Sequence, residues 1–306
     1  MQMKRKVIQL ARKTFVVSLP SKWVKKYDVK KGDELEVKDN SSSIVFSTQR
    51  QSDLKKTSID ITNTNERTLR WLLSSLHKKG YDEIELFYDN KNKTPIIQEL
   101  IKDLFIGFAI VHQSNKRCIV RAISQERDNE FENILRRAWR VTISLADSVL
   151  EYIEQDTQKQ LKELITLEKT NNQLTNFCER MLNKKGHLDH TKTCFYYVIA
   201  WNLEKVCDDY KHICELLAEN KTKISKESIA FLKDSNNFLR KYYDTFYSFD
   251  LNKLNELNTR KKTLVAKGHK LISLKKGPEA TMVNYLTNAV IKTADFSTST
   301  IALNTN

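Results

Sequence analysis

The chain has 306 residues, enough for two or more domains. It carries 52 Lys and Arg against 38 Asp and Glu, and this formal charge of +14 favours polyanionic partners such as nucleic acid. Only six Gly and three Pro interrupt its apolar periodicities, which argues against a disordered chain and indicates a mostly helical one.

The cysteine content indicates a reduced, cytoplasmic protein. No Cys-x-x-Cys pair occurs among Cys118, Cys178, Cys194, Cys207 and Cys214, and three of them fall within helical patterns. The chain contains no run of about 18 apolar residues, and its basic start leads into an alternating strand. We therefore expect neither a signal peptide nor membrane insertion.

Four short segments rich in β-forming residues occupy the first fifty positions. We predict strands over residues 6–10, 14–19, 34–37 and 43–46. Phe15, Val17 and Leu19 alternate along the second segment, as expected for a strand with one buried face. Arg12 and Lys13 form the turn between the first two strands.

A short helix is predicted between the two pairs of strands. Pro20 suits the first turn of a helix over residues 21–27, Asp28 ends it, and Gly32 supplies a turn with positive φ. The resulting domain, residues 1–50, is too small to be stable alone without disulfides or a metal. We therefore predict an obligate homodimer formed through it.

Basic charge is concentrated in this N-terminal domain, which holds 12 Lys and Arg against five Asp and Glu. Doubled by two-fold symmetry, these cations would contact phosphates of double-stranded DNA, and Arg12 at a turn could reach base edges. The DNA-binding candidates are Lys4, Arg5, Lys6, Arg12, Lys13 and Lys22. On charge alone, solubility or an acidic protein partner explains the patch equally well.

Residues 52–125 predict a second domain, a small α/β unit in which strands and helices alternate. The predicted strands cover residues 58–61, 83–88 and 118–123, and the predicted helices cover residues 66–79 and 95–111. No motif in this unit indicates a function.

From residue 126 to residue 306 the strands stop and a helical bundle is predicted. Its six helical segments cover residues 128–156, 157–184, 190–220, 225–248, 250–273 and 279–303. Apolar residues from Ile199 to Leu217 recur at alternating spacings of three and four, which is typical of a left-handed bundle. Two three-helix units would account for the lengths.

Carboxylates in the bundle are the candidate metal ligands. Glu204 and Asp208 lie four residues apart, hence on one helix face, where they could share a metal ion through oxygen. Glu168 and Asn172 interrupt the apolar stripe of a neighbouring helix and need a partner, either a metal or Lys205. A carboxylate pair at this spacing is more typical of a solvated face or an ion-pair ladder.

The other candidate sites have weaker support from the sequence. His187, His190 and Cys194 have zinc-like spacing but no fourth ligand. No Gly-rich phosphate loop, catalytic Ser/His/Asp arrangement or His-Glu-x-x-His motif occurs, so we do not expect an enzyme. Three tryptophans at apolar helical positions predict core packing or a docking patch in preference to base stacking, namely Trp71, Trp139 and Trp201.

The N-terminal domain resembles the AbrB/MazE/SpoVT family of swapped-hairpin DNA-binding domains. The resemblance covers residues 3 to about 50 and is carried by residues 14–20, by Lys22-Trp23 and by residues 29–37. It implies an interlocked β-barrel of two chains, with DNA contacts from Arg5, Arg12, Lys13 and Lys22. Some members act as antitoxins, so a docking module that does not bind DNA is the alternative.

The chain departs from this family at two positions where glycine is frequent. Ala11-Arg12 occupies the first turn, and Asp28 ends the short helix. Because Asp tolerates the left-handed conformation, the fold is still expected, while the base preference becomes harder to predict.

Residues 128–303 resemble the PhoU family of phosphate-signalling proteins, most clearly over residues 196–213. The resemblance implies two three-helix repeats with metal-binding Glu/Asp-x-x-x-Asp motifs. The metal, iron, zinc, manganese or magnesium, would bind Glu168, Glu204 and Asp208. Asn172 stands where the family often has an acid. In the second repeat, Ile291 and Asp295 occupy the positions of the acidic motif. The resemblance therefore implies a single metal site, a weak metal site or none.

The combined expectation is a multidomain, mainly α protein with a swapped-hairpin β module, an α/β middle unit and a helical bundle. This combination resembles archaeal phosphate-uptake regulators, which implies a cytoplasmic, homodimeric, DNA-binding transcription regulator of phosphate homeostasis. One alternative is an adaptor that modulates a phosphate transporter ATPase or a sensor kinase without binding DNA. Another, a metal-dependent enzyme acting on phosphate compounds, depends only on Glu168, Glu204 and Asp208.

Overall fold

The computed structural model divides the chain into two compact units, Met1–Leu54 (the N-terminal unit) and Lys55–Asn306 (the main unit). It describes residues 4–10, 13–39, 43–48, 54–89, 92–124, 130–220 and 222–305. Helices predominate, and the strands lie in the first 122 residues. The predicted combination of a small N-terminal β region with a large C-terminal helical region is confirmed.

The N-terminal unit consists of two β-hairpins and a short helix. Strand β1 (Val7–Leu10) pairs antiparallel with β2 (Thr14–Val17), helix α1 spans Ser21–Lys26, and β3 (Glu36–Asp39) pairs antiparallel with β4 (Ile44–Ser47). Each hairpin is a separate two-stranded sheet. The predicted strands are therefore present, with ends shifted by one or two residues.

The turns around α1 have the predicted conformations. Asp28 has φ of 47° and Gly32 has φ of 95°, so both lie in the left-handed region. The Asp33 carboxylate accepts a hydrogen bond from the Lys30 backbone N–H at 2.9 Å. Pro20 is one position earlier than predicted, since it precedes the first helical residue.

The main unit begins with a four-stranded mixed sheet in the order β5-β6-β8-β7. Its strands are β5 (Lys56–Asp60), β6 (Glu83–Phe87), β7 (Phe108–Gln113) and β8 (Arg117–Ala122), and its helices are α2 (Glu66–Lys78) and α3 (Lys93–Leu104). β5 and β6 are parallel and the other two pairings are antiparallel. The buried face of the sheet and the two helices share one apolar core.

Strand β7 was not predicted, and the helix predicted over residues 95–111 is wrong in its last turns. α3 ends at Leu104, and Gly107 turns the chain with φ of 73°. The apolar run from residue 104 to residue 111 fits a helix or a strand equally well by periodicity. Pairing with β8 decides for the strand.

Helices fill the rest of the main unit. They are α4 (Phe131–Glu154), α5 (Ile165–Lys185), α6 (Thr193–Glu219), α7 (Lys226–Tyr247), α8 (Leu251–Leu274), α9 (Gly277–Ala294) and α10 (Ser297–Asn304). α4, α5 and α6 pack together, α8 packs against α7 and α9, and the α4–α7 and α6–α9 contacts join the two groups. All share one hydrophobic core.

Two predicted helices are irregular. The segment predicted over 157–184 begins as a 3-10 helix, Gln158–Leu164, whose repeat of three places Leu161 and Leu164 together in the core. The helix predicted over 279–303 is broken between α9 and α10 at Asp295 and Phe296. The Phe296 side chain is fully buried at this break.

The predicted middle unit and the helical bundle lie in one compact unit with two cores. α5 packs against both α2 and α3. All five cysteines are free; Cys194 is exposed and the other four are buried. Among the described residues, none of the helices has the length and hydrophobicity that a membrane crossing requires.

Candidate functional site

The cations predicted to bind DNA are exposed in the N-terminal unit. Lys4, Arg5 and Lys6 precede β1, Lys13 lies in the first hairpin turn, and Lys22 lies on α1. Within the described residues none of these five has an acidic partner. Arg12, the candidate for base contacts, lies outside the described residues. The arrangement thus offers unpaired positive charge that phosphates could neutralise.

The N-terminal unit has no core of its own. None of its described residues is buried. Val7, Phe15 and Ile44 expose 63%, 65% and 61% of their surface, and β1 has an exposed apolar side chain on each face because Val7 and Ile8 point to opposite sides. An isolated two-stranded hairpin is marginal in water. A stable N-terminal unit therefore requires another surface to cover its strands.

The three carboxylates proposed as metal ligands meet in the main unit, and two lysines lie between them. Lys205 Nζ is 2.9 Å from Glu204 Oε2 and 3.4 Å from Asp208 Oδ2. Lys211 Nζ is 3.3 Å from Asp208 Oδ1 and 3.6 Å from Glu168 Oε1. These residues of α5 and α6 form a continuous lysine–carboxylate ladder.

The ladder is partly buried, and its charges influence one another. Burial raises the pKa of Glu168, against the opposing effect of Lys211. Burial opposes protonation of Lys211, but the nearby Glu168 and Asp208 raise its pKa overall. Asn172 completes the set by donating its Nδ2 to Glu168 at 2.8 Å. The lysines of the ladder therefore stay charged at neutral pH.

Metal binding fits this arrangement poorly. Within the described residues, no three His, Cys, Asp or Glu side chains are grouped so that they could hold a metal ion. A cation would have to displace Lys205 and Lys211 from Glu168, Glu204 and Asp208. An iron, zinc, manganese or magnesium site at these residues therefore stays a prediction.

The zinc-like spacing of His187, His190 and Cys194 has a structural explanation. The His187 ring packs against Tyr196 at 4.7 Å between ring centroids, and its Nε2 is 3.9 Å from Glu132. His190 begins a 3-10 turn, and Cys194 is exposed at the start of α6. The position of His187 is therefore explained by its packing against α4 and α6.

Sequence reasoning missed a buried ion cluster between the sheet and the bundle. Arg180 of α5 is fully buried, and its guanidinium lies 2.5 Å from Asp82 and donates to the Tyr81 carbonyl at 2.7 Å. Lys184 Nζ is also 2.5 Å from Asp82. Charged residues are usually interpreted as surface, so only the tertiary structure reveals this cluster.

A second missed contact joins α6 to α9. Lys292 Nζ lies 2.8 Å from both carboxylate oxygens of Asp209, which is buried. Asp295, at the position matching a family motif, lies 4.0 Å from Lys261. The acid that the bundle buries here is Asp209, next to the predicted Asp208, and its partner is a lysine.

No known family model matches the chain, and neither a curated protein nor a solved structure matches it. Its function is therefore inferred from its residues and their arrangement. Two features stand out physically, the coreless basic N-terminal unit and the charged α5–α6 surface of the main unit.

Proposed function

We propose that the protein is a dimeric, DNA-binding transcription regulator whose N-terminal unit contacts double-stranded DNA and whose helical bundle receives the regulatory signal. The observation that carries this proposal is the combination, in one unit, of apolar strands without a core and cations without acidic partners. The first property calls for a protein partner and the second for a polyanion.

A second copy of the chain is the proposed partner of the strands. A two-fold axis brings the same two hairpins from each chain together, so every apolar strand meets an equally apolar one. Val7, Phe15, Val37 and Ile44 would lie in the shared core, and this arrangement agrees with the swapped-hairpin resemblance. Burial of a large apolar side chain contributes about 1.5–3 kcal/mol, so a few such residues from each chain suffice for a stable dimer.

Dimerisation doubles the positive surface. Lys4, Arg5, Lys6, Lys13 and Lys22 occur twice, and Arg12 adds a side chain suited to guanine edges. Phosphate contacts of this kind release counterions from DNA, so the affinity should fall steeply with salt. The link to phosphate homeostasis comes from the resemblance of the bundle to the PhoU family and is part of the proposal.

The DNA contact is tested with Lys22→Ala in the full chain. Fluorescence anisotropy with a duplex of the gene's own upstream region gives the affinity as a function of salt. Removing two phosphate contacts per dimer should weaken binding and reduce the salt slope by about 1.8. Lys262→Ala, an exposed lysine of α8, is the matched control and should leave both unchanged.

An unchanged affinity and salt slope for Lys22→Ala, and for Lys13→Ala beside it, would contradict DNA binding by this unit. Retention of a transporter subunit or a kinase in the absence of duplex binding would then favour the adaptor function.

A further inference from the structure

An open groove of about 1120 Å³ lies between α2 and α6, and α5 also lines it. The α2 wall is formed by Arg67, Arg70, Trp71, Ser74, Ser75 and Lys78. Their spacing of three and four places them on one helix face, opposite the buried Leu69 and Leu73. This face contains no acidic residue.

Two tryptophans, one on each wall, are exposed to this α2–α6 groove. Trp71 exposes 60% of its surface and Trp201 exposes 45%. The sequence predicts core packing or a docking patch for the tryptophans; Trp139 is fully buried in the core, whereas these two are exposed, as a docking patch requires. A large indole left in water gains from any flat apolar ligand that covers it.

Cations lie beside both indoles. The Arg67 guanidinium is 5.1 Å from the Trp71 ring centroid, and the ammonium groups of Lys78 and Lys205 are each 5.3 Å from that of Trp201. Cation–π contacts of this length hold the charged groups beside the rings. Each wall thus presents an aromatic ring with a positive charge next to it.

Positive charge exceeds negative charge in the groove. Of the described residues that line it, eight are Lys or Arg and four are Asp or Glu. The ladder neutralises Lys205 and Lys211, but Arg67 and Lys79 have no ion pair within the described residues. A concave surface with such an excess concentrates anions.

The groove also offers hydrogen-bonding groups. Asn172 Oδ1 is buried and has no hydrogen-bond partner within the described residues, while Asn176 and Ser74 line the same surface. Flat rings, cations and amide groups together match a ligand with a planar base and phosphates. Inorganic phosphate would use only the cations, and a DNA duplex would hide its base faces from the indoles.

We propose that the α2–α6 groove binds a nucleotide, with its base stacked on Trp71 and its phosphates neutralised by Arg67. The groove is larger than a drug-sized ligand requires, so the nucleotide is either free or part of a single strand. The proposal does not depend on DNA binding by the N-terminal unit.

Isothermal titration calorimetry of the full chain separates the contributions of the base and of the phosphates to binding. ATP should bind at least about tenfold more tightly than either adenosine, which lacks phosphates, or tripolyphosphate, which lacks a base. A decathymidylate that binds more tightly than ATP assigns the groove to single strands, and the reverse order assigns it to free nucleotides. The proposal would be overturned if tripolyphosphate bound as tightly as ATP and decathymidylate, or if none of the ligands bound.

Variants place the binding in the groove. Trp71→Ala should weaken binding about fivefold or more through lost stacking, and Arg67→Glu about tenfold or more through charge reversal. Both positions are exposed, so the fold should persist, as circular dichroism can verify. Arg137→Glu, an exposed arginine of α4 outside the groove, is the matched control.

Wild-type affinity in both groove variants would refute this location. Lys22→Ala, made to test duplex binding, should retain nucleotide binding, so failure of the regulator proposal and failure of the nucleotide site give different results.

Discussion

At the scale of single residues, Arg180 shows how the sheet and the bundle are held together. Its guanidinium is fully buried, donates to the His77 and Tyr81 carbonyls, and meets the Asp82 carboxylate. Lys184 approaches the same carboxylate from the rim. A buried ion pair contributes little net stability relative to an apolar pair, but loss of one member leaves an uncompensated charge.

We therefore predict that Asp82→Asn lowers the free energy of unfolding by about 3 kcal/mol, because Arg180 and Lys184 lose their counter-charge. Urea denaturation followed by circular dichroism measures the change. Asp89→Asn is the matched control, an exposed aspartate close after β6. An equal effect of the two substitutions would show that the cluster does not stabilise the main unit.

The same carboxylate gives a pH dependence of known sign. Burial of Asp82 opposes ionisation, but the Lys184 hydrogen bond, the Lys55 N–H and the two cations hold its pKa below the ordinary 3.8. Its stabilising effect is therefore complete above that value and is lost as the pH falls through the lower pKa of the folded state. The stability difference between wild type and Asp82→Asn should shrink at acidic pH, and a difference that grows on acidification would contradict this assignment.

At the scale of elements, the α3–β7 connection depends on Gly107. Its φ of 73° is unfavourable for other residues, and an added Cβ would lie 1.9 Å from Ser124 Oγ. Gly277 also has a positive φ, of 58°, but its Cβ would meet nothing within 4 Å. A comparison of Gly107 with Gly277 therefore separates the cost of backbone strain from the cost of steric overlap.

Gly107→Ala should therefore lower the free energy of unfolding by more than the roughly 1–2 kcal/mol of backbone strain expected for Gly277→Ala. Urea midpoints of the two variants test the difference. Removing the hydroxyl with Ser124→Ala in the Gly107→Ala background should recover the excess. Equal losses in the two single variants would show that Ser124 moves aside without cost.

The spacing of apolar residues in the sequence predicts a helix or strand correctly where that element buries one regular face. The apolar residues of α6 between Ile199 and Leu217 are buried in the predicted pattern. Periodicity fails where contacts with another element determine the conformation or the exposure. β7 forms because β8 provides its hydrogen-bond partners, and the apolar character of Trp71 does not reveal that this side chain of α2 faces a groove. The spacing of Glu204 and Asp208 predicts that they share a helix face. It does not predict Lys211, which connects Asp208 to Glu168 across helices.

At the scale of the whole molecule, the two units differ in how they are stabilised. The main unit contains two apolar cores with many fully buried side chains. The N-terminal unit has none among its described residues, and its exposed apolar residues include Leu10, Phe15 and Val37. In the proposed dimer, a second copy of the chain would cover these residues and complete the N-terminal core.

Val7→Asp should accordingly convert the dimer to a monomer, because a carboxylate would be buried twice in the shared core without a partner. Light scattering after size exclusion, over a range of concentrations, measures the mass. Leu251→Asp is the matched control, since Leu251 is 61% exposed on α8 and Val7 is 63% exposed on β1. The monomer should also lose duplex affinity, as it presents half of the cations, while keeping nucleotide binding in the α2–α6 groove. A Val7→Asp protein that remains dimeric would place the interface elsewhere and leave the apolar strands without their proposed partner.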